Sequence, residues 1–438
     1  ELKSDPALDI VCGYLDDFCV AGDSAATLRA LLLIQERAAS LGLELNLEKC
    51  EVIPTAGRNT QCDLSVFPAG VQRKADGCFK LLGAPIGGHE HCAELVQVKR
   101  VQKLTTMLDE VPLLEDAQVA HKLLSRCFGA CRLMHNMRTT RPDWITRGLE
   151  QCQQALRSTF QICTGTALTD SQWQQASLPL SKGGLGSRCG TSHAAAAYLA
   201  SRMATRHLRG QIDAAFSWDG DCEGGALAAA VNLYNAGARH DHHLTGEDLT
   251  SDGSFPGQRA LSMKVDEKLL DQLIAASPDA HKARLLATSA PHASAWLQAQ
   301  PCSALGQRMS HYEFVAALRL WLGCPASSRD DWCPKCDQVM DAQSLHSLCC
   351  MAGGDASRCT TLCVTRQSAV QGAAARQLSA ATSYEAAELA DSDTVLRCEQ
   401  LGIRLVPMVA ESFGGWGAMA QDVFRSLIHA RAARSGET

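Results

Sequence analysis

The stretch "VCGYLDDFCVAG", residues 11–22, sets two adjacent carboxylates, Asp16 and Asp17, between short apolar runs. Val, Cys, Tyr and Phe on either side suit strands, and a polar pair between them suits a tight turn, so the stretch reads as a β-hairpin. Two carboxylates side by side at a hairpin tip repel each other unless water or a cation separates their charges. The pair is therefore either an ordinary solvated turn or a clamp for divalent ions, as used in phosphoryl transfer. A helix must follow at once. In "DSAATLRALLLIQERAASLG", Asp23 or Ser24 can cap the start, Leu28, Leu31, Leu32 and Ala39 make an apolar stripe, and Gly42 stops it.

Further along, "LELNLEKCEVI" alternates like a strand, and "CFKLLGAPIGG" reads as a short strand ending in a Pro/Gly turn. Residues 92–210 are helical in pattern, and Lys99, Arg100, Lys103, Lys122, Arg126, Arg132, Arg138, Arg141 and Arg147 outnumber the acids there. A Gly-rich break, "LPLSKGGLGSRCG", interrupts them. Residues 211–257 hold eight acids against one arginine and many glycines, which reads as a long loop or linker. Helices resume in "VDEKLLDQLIAAS" and "HYEFVAALRLWLG". The fold class expected is α+β, predominantly helical.

At 438 residues the chain is too long for a single core. A net charge of −6 argues against a protein coated in nucleic acid, while leaving room for a local basic groove. No apolar run is long enough to cross a bilayer, and "ELKSDPALDI" lacks the basic start and apolar stretch of a secretion signal. The expectation is an intracellular protein, nuclear or cytoplasmic, not secreted and without a membrane partner. Most of the 21 cysteines then serve as small hydrophobes in a reducing compartment.

One group of cysteines is different. "CPKCDQVMDAQSLHSLCCMAGG" spaces Cys333, Cys336, His346 and Cys349 or Cys350 as a tetrahedral zinc site would, since C-x2-C aims two thiolates at one point. A closed structural Zn2+ site would hold a segment with little core of its own. The run "RHDHH", residues 239–243, is histidine-rich, but neighbouring side chains point apart, and a solvated loop is the expected reading.

"YLDD" within an apolar hairpin resembles the YxDD signature of reverse transcriptases. The later pieces follow in that family's order: the helix after the hairpin, "LGLELNLEKCEVI" with its lysine at Lys49, and "FKLLGAPIG" with Leu82 and Gly83 at the primer-gripping hairpin. "LPLSKGGLGSRCGTSHAAAAYLAS", "SAPHASAWLQAQP" and "FVAALRLWLGCP" are similar to the downstream region of non-LTR retrotransposon polyproteins that carry a restriction-like endonuclease.

The resemblance implies RNA-directed DNA synthesis with two Mg2+ ions, an RNA template and a DNA primer. Asp16 and Asp17 would hold the metals, Tyr14 and Leu15 would pack beneath the primer end, and Phe18 would wedge the hairpin. Lys49 would stand near the departing pyrophosphate, or else be a solvated lysine on a strand edge. The family's Cys-Cys-His-Cys segment makes Cys350 the fourth zinc ligand, and its usual Arg-His appears here as Arg358-Cys359.

The blocks implied are 1–91 a palm remnant, 92–210 a thumb-like helical region, 211–257 the acidic linker and 258–330 a helical connector. Residues 331–360 then form the zinc segment and 361–438 an endonuclease remnant. In that remnant Glu388 takes the place expected for a lysine, and Glu411 is either a leftover acidic group or a solvated strand end. The family's other metal-holding aspartate and its template-binding segments match no part of this sequence. Polymerisation by these residues alone is therefore not expected. The alternative expectation is a non-catalytic, zinc-containing nucleic-acid-binding protein.

Overall fold

The computed structural model describes residues 2–14, 17–54, 63–212, 218, 225–251, 253–325, 327, 329–333, 336–342, 361–362, 374–391, 395–396, 400, 406–411 and 415–425. The fold is α+β and predominantly helical, its strands confined to small two-stranded sheets. It divides into two compact units, residues 1–103, 133–151 and 190–262 forming the first and 104–132, 152–189 and 263–438 the second.

The first unit opens on antiparallel strands β1 (Leu8–Tyr14) and β2 (Asp17–Gly22), paired Tyr14 to Asp17, Gly13 to Phe18, Cys12 to Cys19 and Val11 to Val20. The register shifts between Leu8 and Ile10, leaving Asp9 as an extra residue. A Cβ on Gly22 would collide with the Ala7 carbonyl, so only glycine lets the strands close there. Helix α1 (Ser24–Ser40) follows, and of the two capping candidates Asp23 does the work, its carboxylate accepting the Ala26 N–H at 2.7 Å. The apolar stripe is shifted from the expected one. Ala26 and Ala30 are the buried positions, Leu28 and Leu31 pack on a cluster of Val52, Phe67 and Val71, and Leu32 is half exposed.

Two sequence readings need correction in this unit. "LELNLEKCEVI" is not a continuous strand. The Asn46 side chain accepts the Lys49 N–H at 3.3 Å and draws Leu47–Lys49 into a single 3-10 turn, leaving only β3 (Glu51–Val52) as a paired strand, parallel to β4 (Gln72–Arg73). The acidic stretch 211–257 is also not a loop throughout. Ala226–Gly237 is a helix whose Leu227, Ala230, Val231 and Tyr234 are buried, and Gly246–Thr250 is a short second one. The acids that suggested a linker flank the first of these helices, and the apolar run within it finds a partner.

That partner is the helix Gly190–Ala204, buried from His193 to Ala200 and flanked by Met134–Thr139 and Ala226–Gly237. Its run of four alanines has no bulky side to turn outward, so it is covered on several faces.

In the second unit a buried cation organises the packing. Arg284, 6% exposed, donates to Gln175 Oε1 at 2.8 Å and to the Trp321 carbonyl at 2.5 Å. Gln175 in turn donates to the carbonyls of Gly183 and Trp321, at 2.9 and 3.1 Å. Burial pulls the guanidinium down to about 10, which leaves it charged at neutral pH. In the same unit Trp296 meets Phe314 and Trp321 edge-on, Phe314 lies against His121, and His121, held by the Leu185 carbonyl, is pushed down to about 4 by burial and stays neutral.

The Gly-rich break "LPLSKGGLG" is the tight loop that this network grips. The N–H of Gly186 donates to the Leu178 carbonyl at 2.9 Å, and a Cβ on Gly184 would run into that same carbonyl. Gly184→Ala is expected to cost about 2 kcal/mol or more, because backbone rather than a movable side chain blocks the methyl group. Gly210→Ala, on a helix with open space around it, is expected to cost nothing. Denaturant unfolding followed by tryptophan fluorescence checks both.

Candidate functional site

In the first unit the register of β1 and β2 sets Tyr14 directly across from Asp17, with Leu15 and Asp16, between them, outside the described residues. Tyr14 and Phe18 are each 61% exposed, and Asp17 is also exposed. Large aromatic rings usually avoid water, so the hairpin end is an amphipathic surface carrying a carboxylate. The Phe18 ring lies over Gly13, which has no side chain to displace it. Because side chains alternate along a strand, Ile10, Cys12 and Tyr14 share one face with Asp17, Cys19 and Ala21.

The second hairpin of this unit joins β5 (Phe79–Leu81) to β6 (Ala84–Ile86). Leu82 and Gly83 turn it with φ of 48° and 85°. Two left-handed residues in succession match the twist of a two-residue hairpin, and glycine takes the second place without strain. Arg100 donates to the Gly83 carbonyl at 3.3 Å, and a Cβ on Gly83 would meet His135 Nε2 at 3.7 Å. Lys99, Arg100 and Lys103 lie on the helical run that follows, all exposed, where a wide turn at Leu95–Val101 bonds the Gln102 N–H to the Gln97 carbonyl. Lys49 ends its 3-10 turn with its side chain in solvent, not on a strand edge.

Other members of the basic set are committed elsewhere. Arg141 pairs with Asp143 at 2.8 Å and lies over the Trp144 ring, Arg138 donates to Gln258, Lys122 to the Leu297 carbonyl and Arg132 to the Cys127 carbonyl. The exposed cations of this set left for a polyanion in the first unit are chiefly Lys99, Lys103 and Arg147, with Arg100 shared with the Gly83 carbonyl.

In the second unit, Cys333 and Cys336 stand on a chain reversal between β7 (Asp331–Trp332) and β8 (Val339–Met340). The Cys333 N–H donates to the Gln338 carbonyl at 2.8 Å, and Asp337 adopts a left-handed φ of 56°. This turn fits half of a zinc site, two thiols on one tight loop. His346, Cys349, Cys350, Arg358 and Cys359 lie outside the described residues. Among the described residues no three His, Cys, Asp or Glu side chains converge as a metal site, and "RHDHH" is a surface turn with the His240 and His243 rings 5.0 Å apart.

The tail corrects the reading of Glu411 as a solvated strand end. At 2% exposure, it leaves β10 (Ala410–Glu411), which runs parallel to β9 (Thr361–Leu362), and accepts the Ala381 N–H at the start of the helix Ser379–Ala390. Glu385, on that helix, accepts the Met419 N–H at 3.1 Å where residues 418–425 begin the next one. Each carboxylate thus meets the positive end of a helix. Glu388 bonds the Tyr384 hydroxyl and raises it. The sequence gives no signal for this exchange, since both acids become caps only when the segments meet.

No family model, curated protein or solved structure matches the chain. Among the described residues no helix is long and apolar enough to cross a membrane.

Burial raises Glu411 above the ordinary carboxylate range, against the pull of the Ala381 and Ala380 N–H groups. The folded tail therefore takes up its proton more readily than the unfolded chain. This contribution is full below the unfolded value and is lost as pH rises through the folded one. Glu411→Gln, which still accepts a hydrogen bond, is expected to flatten that pH dependence, whereas Glu411→Leu destabilises the tail at every pH. Unfolding midpoints measured between pH 4 and pH 8 check it, these being about the limits of ordinary carboxylate titration and of neutrality.

Proposed function

We propose that this chain is part of a non-LTR retrotransposon reverse transcriptase, an RNA-directed DNA polymerase that uses two Mg2+ ions, and that residues 1–438 bind nucleic acid without polymerising by themselves. The observation that carries the reading is the pair of hairpins in the first unit. One presents exposed Tyr14, Asp17 and Phe18 at the end of its strands. The other turns at Leu82–Gly83 with Arg100 and His135 against it.

Both hairpins fall where the sequence resembles the family's YxDD and primer-contacting motifs. In that reading Asp16 and Asp17 hold the metals, which when bound supply charge stabilisation for nucleotidyl transfer. Tyr14, Leu15 and Phe18 support the primer terminus. Lys49 and the 99–103 cations meet phosphates. Cys333, Cys336, His346 and Cys350 hold a structural Zn2+ that fixes the reversal between β7 and β8.

A second reading, a zinc-containing binder with no polymerase role, is favoured by the β1–β2 sheet. It is two-stranded, and no third acidic group joins Asp17 among the described residues. A site of positioned metals needs that third group.

Binding of an RNA–DNA duplex, followed by fluorescence anisotropy, is expected to weaken steeply with salt. Lys99→Ala and Lys103→Ala should each reduce the slope of log K against log salt by about 1. Salt-independent binding, or none, contradicts the proposal. Mg2+-dependent primer extension abolished by Asp16→Ala would instead show that these residues polymerise unaided.

Metal analysis of the protein purified under reducing conditions is expected to find one zinc per chain, lost in Cys333→Ser and in Cys336→Ser. A zinc-free chain with native thermal stability would remove the zinc segment from the account.

A further inference from the structure

Cys12 and Cys19 face each other across the β1–β2 hairpin. Two residues separate the strands, so the pair flanking them, Tyr14 and Asp17, exchanges both backbone hydrogen bonds, and pairs alternate from there. Gly13–Phe18 is then a non-bonded pair and Cys12–Cys19 a bonded one, with Cα atoms about 5.5 Å apart. That separation lies inside the range that disulfides span, about 4.4–6.8 Å. The two thiols leave the same face of the sheet as Tyr14 and Asp17, two residue pairs along, with Gly13–Phe18 between them.

The thiols differ in access. Cys12 is exposed and Cys19 half-buried, and neither is in a disulfide. Cys12 is thus the one that meets a reagent first, and Cys19 the one that follows.

We propose that Cys12 and Cys19 form a redox-active dithiol that a small-molecule disulfide converts to a cross-strand disulfide. The Cys12 thiolate attacks one sulfur of the reagent and expels the first thiolate. The Cys19 thiolate then attacks the Cys12 sulfur of the mixed disulfide and expels the second. One S–S bond breaks and one forms, the two protein thiols lose two electrons and two protons, and the reagent leaves as two thiols.

Opposed Cβ atoms in a sheet sit about 4.5–5.5 Å apart, while a relaxed disulfide holds them at about 3.5–4.5 Å, so closing the bond draws the strands inward. A bond formed under such tension is readily reduced again, which makes the pair reversible. The inference needs only the strand register and holds whether or not the aspartates carry metal.

Tryptic peptide 4–29 carries both cysteines and no other. The full chain is equilibrated in glutathione buffers running from fully reduced to fully oxidised, its remaining thiols are alkylated, and the digest is weighed. The expected result is a peptide that loses two hydrogens and both alkyl groups as the buffer becomes oxidising, and regains them when reduced glutathione is restored. In Cys19→Ser the same peptide should stop at a single glutathione adduct on Cys12. The inference is overturned by two separate glutathione adducts in the unsubstituted chain, by linkage of either residue to another cysteine, or by thiols that stay alkylatable throughout. As a second measurement, phenylarsine oxide, which needs two thiols converging on one arsenic, should block alkylation of both residues in the reduced chain and leave Cys19 open to alkylation in Cys12→Ser. Unblocked alkylation in the reduced chain would equally count against the pair.

Discussion

The register of one short hairpin determines what the first unit can present. Side chains alternate with a period of two along a strand, so a slip of a single residue would move every group to the other face. With Tyr14 opposite Asp17, the tyrosine, the carboxylate and both cysteines share a face, and Phe18 covers Gly13 on the other. The register is held from its far end. Asp9 supplies the bulge, Gly22 lets the chain close on Ala7, and Asp23 starts helix α1 with its own side chain. The Asp17 carboxylate is thereby tied to a helix whose buried alanines and half-buried leucines anchor it to the Val52, Phe67 and Val71 cluster.

The second unit is built on another kind of constraint. Its core contains a charged arginine, and burying a guanidinium is unfavourable unless its N–H groups find oxygens. Gln175 Oε1 and the Trp321 carbonyl supply them for one nitrogen, Nη1, while Nε finds no acceptor among the described residues, and Gln175 reaches on to Gly183. Three segments far apart in sequence meet at this network: the Gly-rich loop after Ser177, the helix Asp279–Thr288 and the end of the helix His311–Leu322. Removing Arg284 would leave the Trp321 carbonyl and Gln175 with fewer partners in a dry core, so the network acts as a whole.

Much of this was legible in the residues. The alternation on both sides of the aspartate pair gives the hairpin, Asp23 and the leucines give helix α1, and Gly83 gives a turn after Phe79–Leu81, although Pro85, read as part of that turn, lies within β6. The cysteine partnership was also there to be read, because residues 12 and 19 are symmetric about a turn centred between residues 15 and 16. What stayed hidden depends on distant segments. The Ala226–Gly237 helix is stabilised by packing on Gly190–Ala204, and its acidic surroundings masked it. Asn46 overrode the strand pattern of "LELNLEKCEVI" through one local hydrogen bond. Glu385 and Glu411 become helix caps only after residues 379–425 fold together.

Both proposals made for the first unit stand on the pairing of β1 with β2, and NMR observes that pairing directly. In a non-bonded antiparallel pair the Cα atoms approach to about 4.5 Å, close enough for a strong Hα–Hα Overhauser effect. In the chain selectively labelled at glycine, phenylalanine, valine, cysteine and aspartate, such effects are expected between Gly13 and Phe18 and between Val11 and Val20. Strong Hα–Hα effects joining Gly13 instead to Cys19 or to Asp17 would mean a slipped hairpin, with the tyrosine, carboxylate and thiols no longer on one face.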